Sequence, residues 1–323
     1  MLQNTQLELL ARLSYATGQE TKAKREEKMS ETKYGKHLIH NPFYQASREF
    51  GGATMFKQTA EDGSGVVFEL HYVTDPNWSI NVTRTPETHE LFCFVGGNPE
   101  NIMDLGAELR LTLGPDDEEQ IVKDPTVVIV PPGLKHGPIT VSRFAKPFNL
   151  LRIVNSKEYQ AKLDSEAGKD AAFRLGRLRD GNEVRKHGKK YWMNMMRGPF
   201  YIDYEPGWTG TSIWAHHDEF FAGISLGYHC IVTPYDVRFS HSHNNHENLC
   251  FLSGDPNNPR ELGAEGKVCL GEEKEELTFN TPTIISMPPG LKHCPLQINN
   301  VAKPVIFLEV SVTKAFEGKP EGF

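Results

Sequence analysis

The chain has 323 residues, a length that suits about two domains of ordinary size. Its 38% hydrophobic and 24% charged residues are those of a globular protein, and a net charge of −7 argues against nucleic acid or an anionic membrane as its partner. No apolar run of about 18 residues occurs, Met1 is followed by polar residues, and five cysteines without a dense framework fit reduced thiols, so the expected location is cytoplasmic.

Residues 1–33 open with Leu7, Leu9, Leu10 and Leu13 at near-helical spacing, ahead of a charged run from Lys22 to Lys28. This predicts an N-terminal helix whose short apolar stripe needs a packing partner, either the rest of the protein or a second copy in a homo-oligomer. From Tyr34 the chain repeats itself at an offset of 157 residues, read here without a gap. Pro42-Phe43-Tyr44, His89-Glu90, Cys93-Phe94, Leu105 to Glu108, Pro131 to His136 and Ala145-Lys146-Pro147 all recur. A period this long means a duplicated domain rather than a solenoid. The first copy covers 34–154 and the second 191–313. Within the first, Val66 to Val73, Leu91 to Val95, Thr126 to Val130 and Phe148 to Ile153 read as short strands, punctuated by Gly-Asn-Pro-Glu and Pro-Pro-Gly turns. That pattern predicts an all-β sandwich or barrel in each copy. Residues 155–190 lose it: a helix is expected around Lys157 to Leu178, and Arg185 to Lys190 read as a solvated basic face of the linker.

Chemistry concentrates in the second copy. In Phe239-Ser240-His241-Ser242-His243-Asn244-Asn245-His246-Glu247, His241 and His243 leave the same face of a strand, and Glu247 falls on the same strand parity, so parity is right for three ligands. Pro288-Pro289-Gly290 fixes the backbone before Leu291-Lys292-His293, so a rigid turn can deliver His293 from a neighbouring strand. Singly, His229 or His246 reads as a structural histidine. As a set, His241, His243, Glu247 and His293 read as a metal site suited to Fe, Mn, Ni, Co, Cu or Zn. Shifted back by one copy, Glu247 and His293 become Glu90 and His136, but His241 becomes Arg84 and His243 becomes Pro86. The first copy is therefore expected to lack the metal, with Arg84 placing positive charge beside Glu90 as a replacement or small-anion site.

Both motif segments resemble those of the cupin superfamily, including Gly254 at the close of the first. Tyr235, Pro282 and Gln297 stand where the family usually has glycine, glycine and asparagine. The resemblance implies two tandem jelly-roll (double-stranded β-helix) barrels with an N-terminal helix and helical linker, a bicupin with one divalent metal per chain, Fe foremost. It also implies a small-molecule substrate. The function it points to is a metal-dependent oxidoreductase, dioxygenase-like, acting on a small polar or aromatic molecule; a non-redox lyase, isomerase or decarboxylase, or a binding protein with a structural metal, are the alternatives. Glu247, His229 and Tyr228 are the candidate catalytic residues. One of Tyr228 and His229 must face inward, and the sequence leaves open which. Phe239, Leu249 and Phe251 are expected to line the lumen, and Glu309 to face either the lumen or an interface. His216, His217, Trp208 and Trp214 fall in an irregular segment before that strand, for which the two readings are a cover over a barrel mouth and, as the expectation, loop histidines without a role.

Overall fold

The computed structural model describes residues 32–45, 54–58, 63–181, 185–198, 213–215, 220–314 and 318–320, with backbone alone at 45, 54–58, 213–215 and 318–320. The helix expected from the leucine spacing falls on residues outside this set. So do Trp208, His216, His217 and the Trp214 side chain. The chain divides into Met1–Leu38, whose described part is a short 3₁₀ turn at Gly35–His37, and Ile39–Phe323.

Ile39–Phe323 is built on antiparallel sheets, a large and a small one for each copy. In the first copy the large sheet runs Thr126–Val130, Glu90–Gly96, Phe148–Asn155, Val66–Val73, Thr54–Gln58, Phe43–Gln45, and the small one Ser79–Ile80, His136–Phe144, Ala107–Leu113, Glu118–Val122. In the second, Thr283–Met287, His246–Ser253, Val305–Val312, Ser225–Ile231 and Ile213–Ala215 form the large sheet. Its small sheet is Glu275–Phe279, Glu265–Leu270, His293–Asn299, His241–His243 and Gly318–Pro320, with Tyr235–Val237 also on His293–Asn299.

The period-two alternation of these strands sends one set of side chains into each barrel and the other between the barrels. Phe68, Leu70, Tyr72, Leu91, Cys93, Leu151 and Ile153 of the first large sheet share one core with Leu226, Tyr228, Cys250, Leu252, Ile306 and Leu308 of the second. The intervening residues point into the barrels: Phe92, Phe94, Val128, Phe148 and Leu150 meet Leu109, Leu111 and Ile139 of the small sheet inside the first. Each copy also lends an edge to the other. The Gly198 amide donates to the Pro125 carbonyl at 2.8 Å, and the Asn41 amide to Pro282 at 2.8 Å, 157 residues away on both sides. Met195–Arg197 continues the first of these contacts as a strand on Thr126–Val130. These exchanges cover strand edges that would otherwise be open.

The gapless offset fails in one strand. Leu151 and Leu308 are 157 apart, but their cross-strand partners Leu70 and Tyr228 are 158 apart. His71 therefore corresponds to His229, and Glu69 to Gly227. A residue gained and one lost in the flanking loops leave no trace in the motif blocks, which is why the sequence reads as gapless.

The linker carries two helices, Lys157–Glu166 and Lys169–Asp180, in place of the one expected. Ser156 caps the first, its side chain accepting from the Tyr159 amide, and Gly168 interrupts the run because it disfavours continued helix. The basic cluster docks on the acidic hairpin of the first barrel: Lys190 pairs with Asp116 and Lys189 donates to the Glu119 carbonyl at 2.6 Å.

Candidate metal centre

His241 and His243 lie on a strand of the small sheet, whereas Glu247 lies on His246–Ser253 of the large sheet. The bend at Asn244-Asn245 separates them, so one strand parity does not join the three, as the sequence suggested. They converge because the two sheets face each other across the lumen. His293 stands directly opposite His241 across the pair of strands, after a turn in which the Leu291 amide donates to Pro288 and the Gly290 amide donates to the His243 carbonyl.

The donor atoms of His243, Glu247 and His293 lie within 4.8 Å of one another, and so do those of His241, His293 and Cys294; the two triads share His293. Glu247 Oε2 is 3.4 Å from Nε2 of both His243 and His293, and His241 Nε2 is 3.0 Å from His293 Nε2. Two ligands at right angles on an ion with bonds of about 2.1 Å would be about 3.0 Å apart. Tautomers are set from outside the cluster. His241 Nδ1 donates to the Phe239 carbonyl at 2.9 Å and His293 Nδ1 to the Leu291 carbonyl at 3.1 Å, which leaves the Nε2 lone pairs facing one another. Burial lowers the His241 pKa and brings that of His293 to about 4, so neither ring carries a proton to bridge them at neutral pH. Ser311 Oγ donates to Glu247 Oε1 at 3.0 Å and fixes the carboxylate. His243, Glu247 and His293 fit one divalent transition ion, and His241 adjoins them through His293.

His229 faces the lumen, stacked on Phe307 with ring centroids 5.4 Å apart and 3.9 Å from Glu309. Phe307 in turn stacks on Phe251 at 4.8 Å with the rings parallel. Glu309 also faces inward, flanked by Gly227 and Leu249 on the adjacent strands. Burial, with the Glu247 charge beside it, pushes its carboxyl well above the usual range. Two sequence expectations are corrected. Tyr228 is fully buried between the barrels, its hydroxyl accepting from Asn149 Nδ2 at 3.2 Å, and cannot reach the lumen. Phe239 is 76% exposed, outside the barrel, while Leu249 and Phe251 line it.

In the first barrel a guanidinium does meet Glu90, but it belongs to Arg152 rather than Arg84. Arg152 bridges Glu69 and Glu90 at 3.2 and 3.1 Å, with His71 3.4 Å from Glu69 and His136 3.5 Å from Glu90. Arg84 instead pairs through its backbone with His136. Arg152 corresponds to Glu309, so the same lumen position carries opposite charge in the two barrels. Cys294 escaped the sequence reading, although the signal was there: it follows the Pro-Pro-Gly-Leu-Lys-His block that both copies share, where the first copy has Gly137.

No protein-family model matches the chain, and no curated protein does. Solved structures do. A Bacillus subtilis oxalate decarboxylase studied for its Mn(II) centres superposes with a TM-score of 0.56 at 12% identity, covering 88% of this chain and 79% of that one. A deletion mutant of that enzyme gives 0.56 at 13% identity over the same shares. A third, concerned with an element that modulates proton-coupled electron transfer, gives 0.52 at 13%, over 88% and 80%. At such identities the likeness shows the fold alone: the chain has the bicupin fold, two tandem cupin-like barrels.

Proposed function

We propose that this bicupin is a metal-dependent enzyme, an oxidoreductase whose C-terminal barrel holds one divalent transition metal on His241, His243, Glu247 and His293. The observation that carries the reading is the pair of imidazole Nε2 atoms 3.0 Å apart, each ring anchored through Nδ1 to a backbone carbonyl, with Glu247 Oε2 3.4 Å from His293 and His243. When bound, the ion supplies a Lewis-acid and redox centre. The charge balance supports it as well. Two lumen carboxyls in the first barrel are bridged by Arg152, whereas Glu247 and Glu309 in the second have imidazoles beside them.

Substrate class follows from the walls. His229, Phe307 and Phe251 present stacked rings, and Glu309 a carboxyl, so an uncharged polar or aromatic molecule is favoured. The guanidinium suited to a small dianion such as oxalate is held in the other barrel by Glu69 and Glu90. His229 and Glu309 are placed to orient the substrate and to hold or pass a proton beside it. Phe251, Phe307 and Leu249 exclude water.

Elemental analysis beside an oxygen-uptake screen of small phenols, enols and polar metabolites tests this. One ion per chain is expected, lost in His243→Ala and kept in His136→Ala. Two tightly held ions, or an ion retained by His243→Ala, would sink the assignment. Turnover of a substrate without oxygen consumption would replace oxidoreductase by a lyase, isomerase or decarboxylase.

A further inference from the structure

We propose that Cys294 is a further donor to this ion, a thiolate beside His241 and His293, and that it tunes the barrel to thiophilic ions such as Zn(II), Co(II) or Fe(II) over Mn(II). The inference rests on the metal reading above and deepens it.

Three observations carry it. The Cys294 Sγ belongs to a triad with the donor atoms of His241 and His293, all within 4.8 Å of one another. Donors on one ion with bonds of about 2.1 Å to nitrogen and 2.3 Å to sulfur are separated by about 3 to 4.4 Å, a difference that a small side-chain rotation covers. Second, the register between Glu265–Leu270 and His293–Asn299 shifts between Val268 and Leu270, which face Leu296 and His293. A bulge at this point lets the consecutive residues His293 and Cys294 both turn inward, where strict alternation would expose one of them; both are buried, at 2% and 3% exposure. Third, Cys294 has φ +73, in the left-handed region, and the first copy places Gly137 there at φ +84. The second copy thus keeps a side chain where the backbone prefers none, and that side chain is a thiol pointing at two imidazoles. Cys93, Cys230 and Cys250, by contrast, pack in the core between the barrels.

Soft thiolate donors favour zinc, iron, cobalt and copper over the hard manganese ion. Coordination replaces the S–H bond by a sulfur–metal bond and releases one proton per ion to solvent. The chelated full chain, reloaded with Co(II), tests the idea by absorption. Visible d–d bands report bound cobalt whatever its ligands, and a near-ultraviolet charge-transfer band reports sulfur. The wild type is expected to show both. Cys294→Ser and Cys294→Gly, the latter restoring the residue of the first copy, are expected to keep the visible bands, lose the near-ultraviolet band and lower the preference for Zn(II) over Mn(II) by about tenfold or more. Visible bands at one cobalt per chain without a sulfur band, or a band that survives both substitutions, overturn the role of Cys294 and leave the metal site standing. A wild type that takes up no cobalt, zinc or manganese removes both.

Discussion

Replacing Arg152 with methionine probes what holds the first barrel together in place of an ion. The side chains of Arg152, Glu69 and Glu90 are 10%, 7% and 7% exposed, and the guanidinium touches both carboxylates at 3.2 and 3.1 Å. Methionine keeps the length and apolar stem but strands two carboxylates in a lumen that also holds Phe92 and Phe94. Removing one partner of a buried pair costs about 3–5 kcal/mol because the surviving charge is left uncompensated. Two charges survive here, with His71 at 3.4 Å and His136 at 3.5 Å still beside them as polar partners, so about 3–5 kcal/mol is expected in total at pH 7.5. The pH dependence has a definite sign. Burial pushes the Glu90 carboxyl up, but His136 and Arg152 outweigh it and hold the group below the usual range. A carboxylate with a lowered folded pKa stabilises the fold above its unfolded value, near about 4.3, and that contribution is lost as pH falls through the folded value. Without Arg152 the lowering goes, and the gap between wild type and variant narrows in acid. Urea denaturation followed by circular dichroism at pH 7.5 and at about pH 3, below the unfolded value, measures it. Adding Glu69→Gln and Glu90→Gln removes the stranded charges and should recover at least about half of the loss. A loss under about 1 kcal/mol at pH 7.5, or an equal loss at both pH values, would falsify the account of Arg152 as the internal cation.

Further outcomes follow from the same geometry. Glu247→Gln removes the carboxylate charge but keeps an oxygen for Ser311 Oγ, so metal retention should weaken while thermal unfolding of the chelated forms stays within a few degrees of wild type; a collapse of the chelated variant would make Glu247 a fold residue. Tyr228→Phe should leave turnover and metal content unchanged and cost about 1–3 kcal/mol, since Asn149 loses a buried partner; impaired turnover at unchanged stability would bring Tyr228 back as a catalytic group. Burial holds His293 neutral down to about 4, while the same ring in the unfolded chain takes a proton near 6.5. The metal-free protein should therefore lose stability as pH falls from about 6.5 to about 4, and His293→Leu should flatten that slope; an unchanged slope in calorimetry contradicts it.

Much of this molecule was legible in the chain. The duplication, the strands at Val66–Val73, Thr126–Val130 and Phe148–Asn155, and the turn that carries His293 all follow from local signals: alternating apolar residues, Gly-Pro punctuation and repeated blocks. Local signals are short-ranged, and so were the errors. Counting strand parity through His243 to Glu247 assumed one continuous strand, where the chain bends at Asn244-Asn245 and changes sheet. Arg84 was assigned to Glu90 because it aligns with His241, but a guanidinium answers to whichever carboxylates surround it in space, and those are met by Arg152 from a strand more than fifty residues further along. Tyr228 and His229 are alike in sequence context; they differ only because one side of Ser225–Ile231 faces the other barrel and the opposite side faces the lumen. The sequence by itself thus determined the elements, their duplication and the four residues of the motif pair. The opposite charge of Arg152 and Glu309 was legible too, but tertiary structure alone decided their inward turn and the placing of Cys294 beside His293, because each depends on which strands become neighbours and where a bulge breaks their alternation.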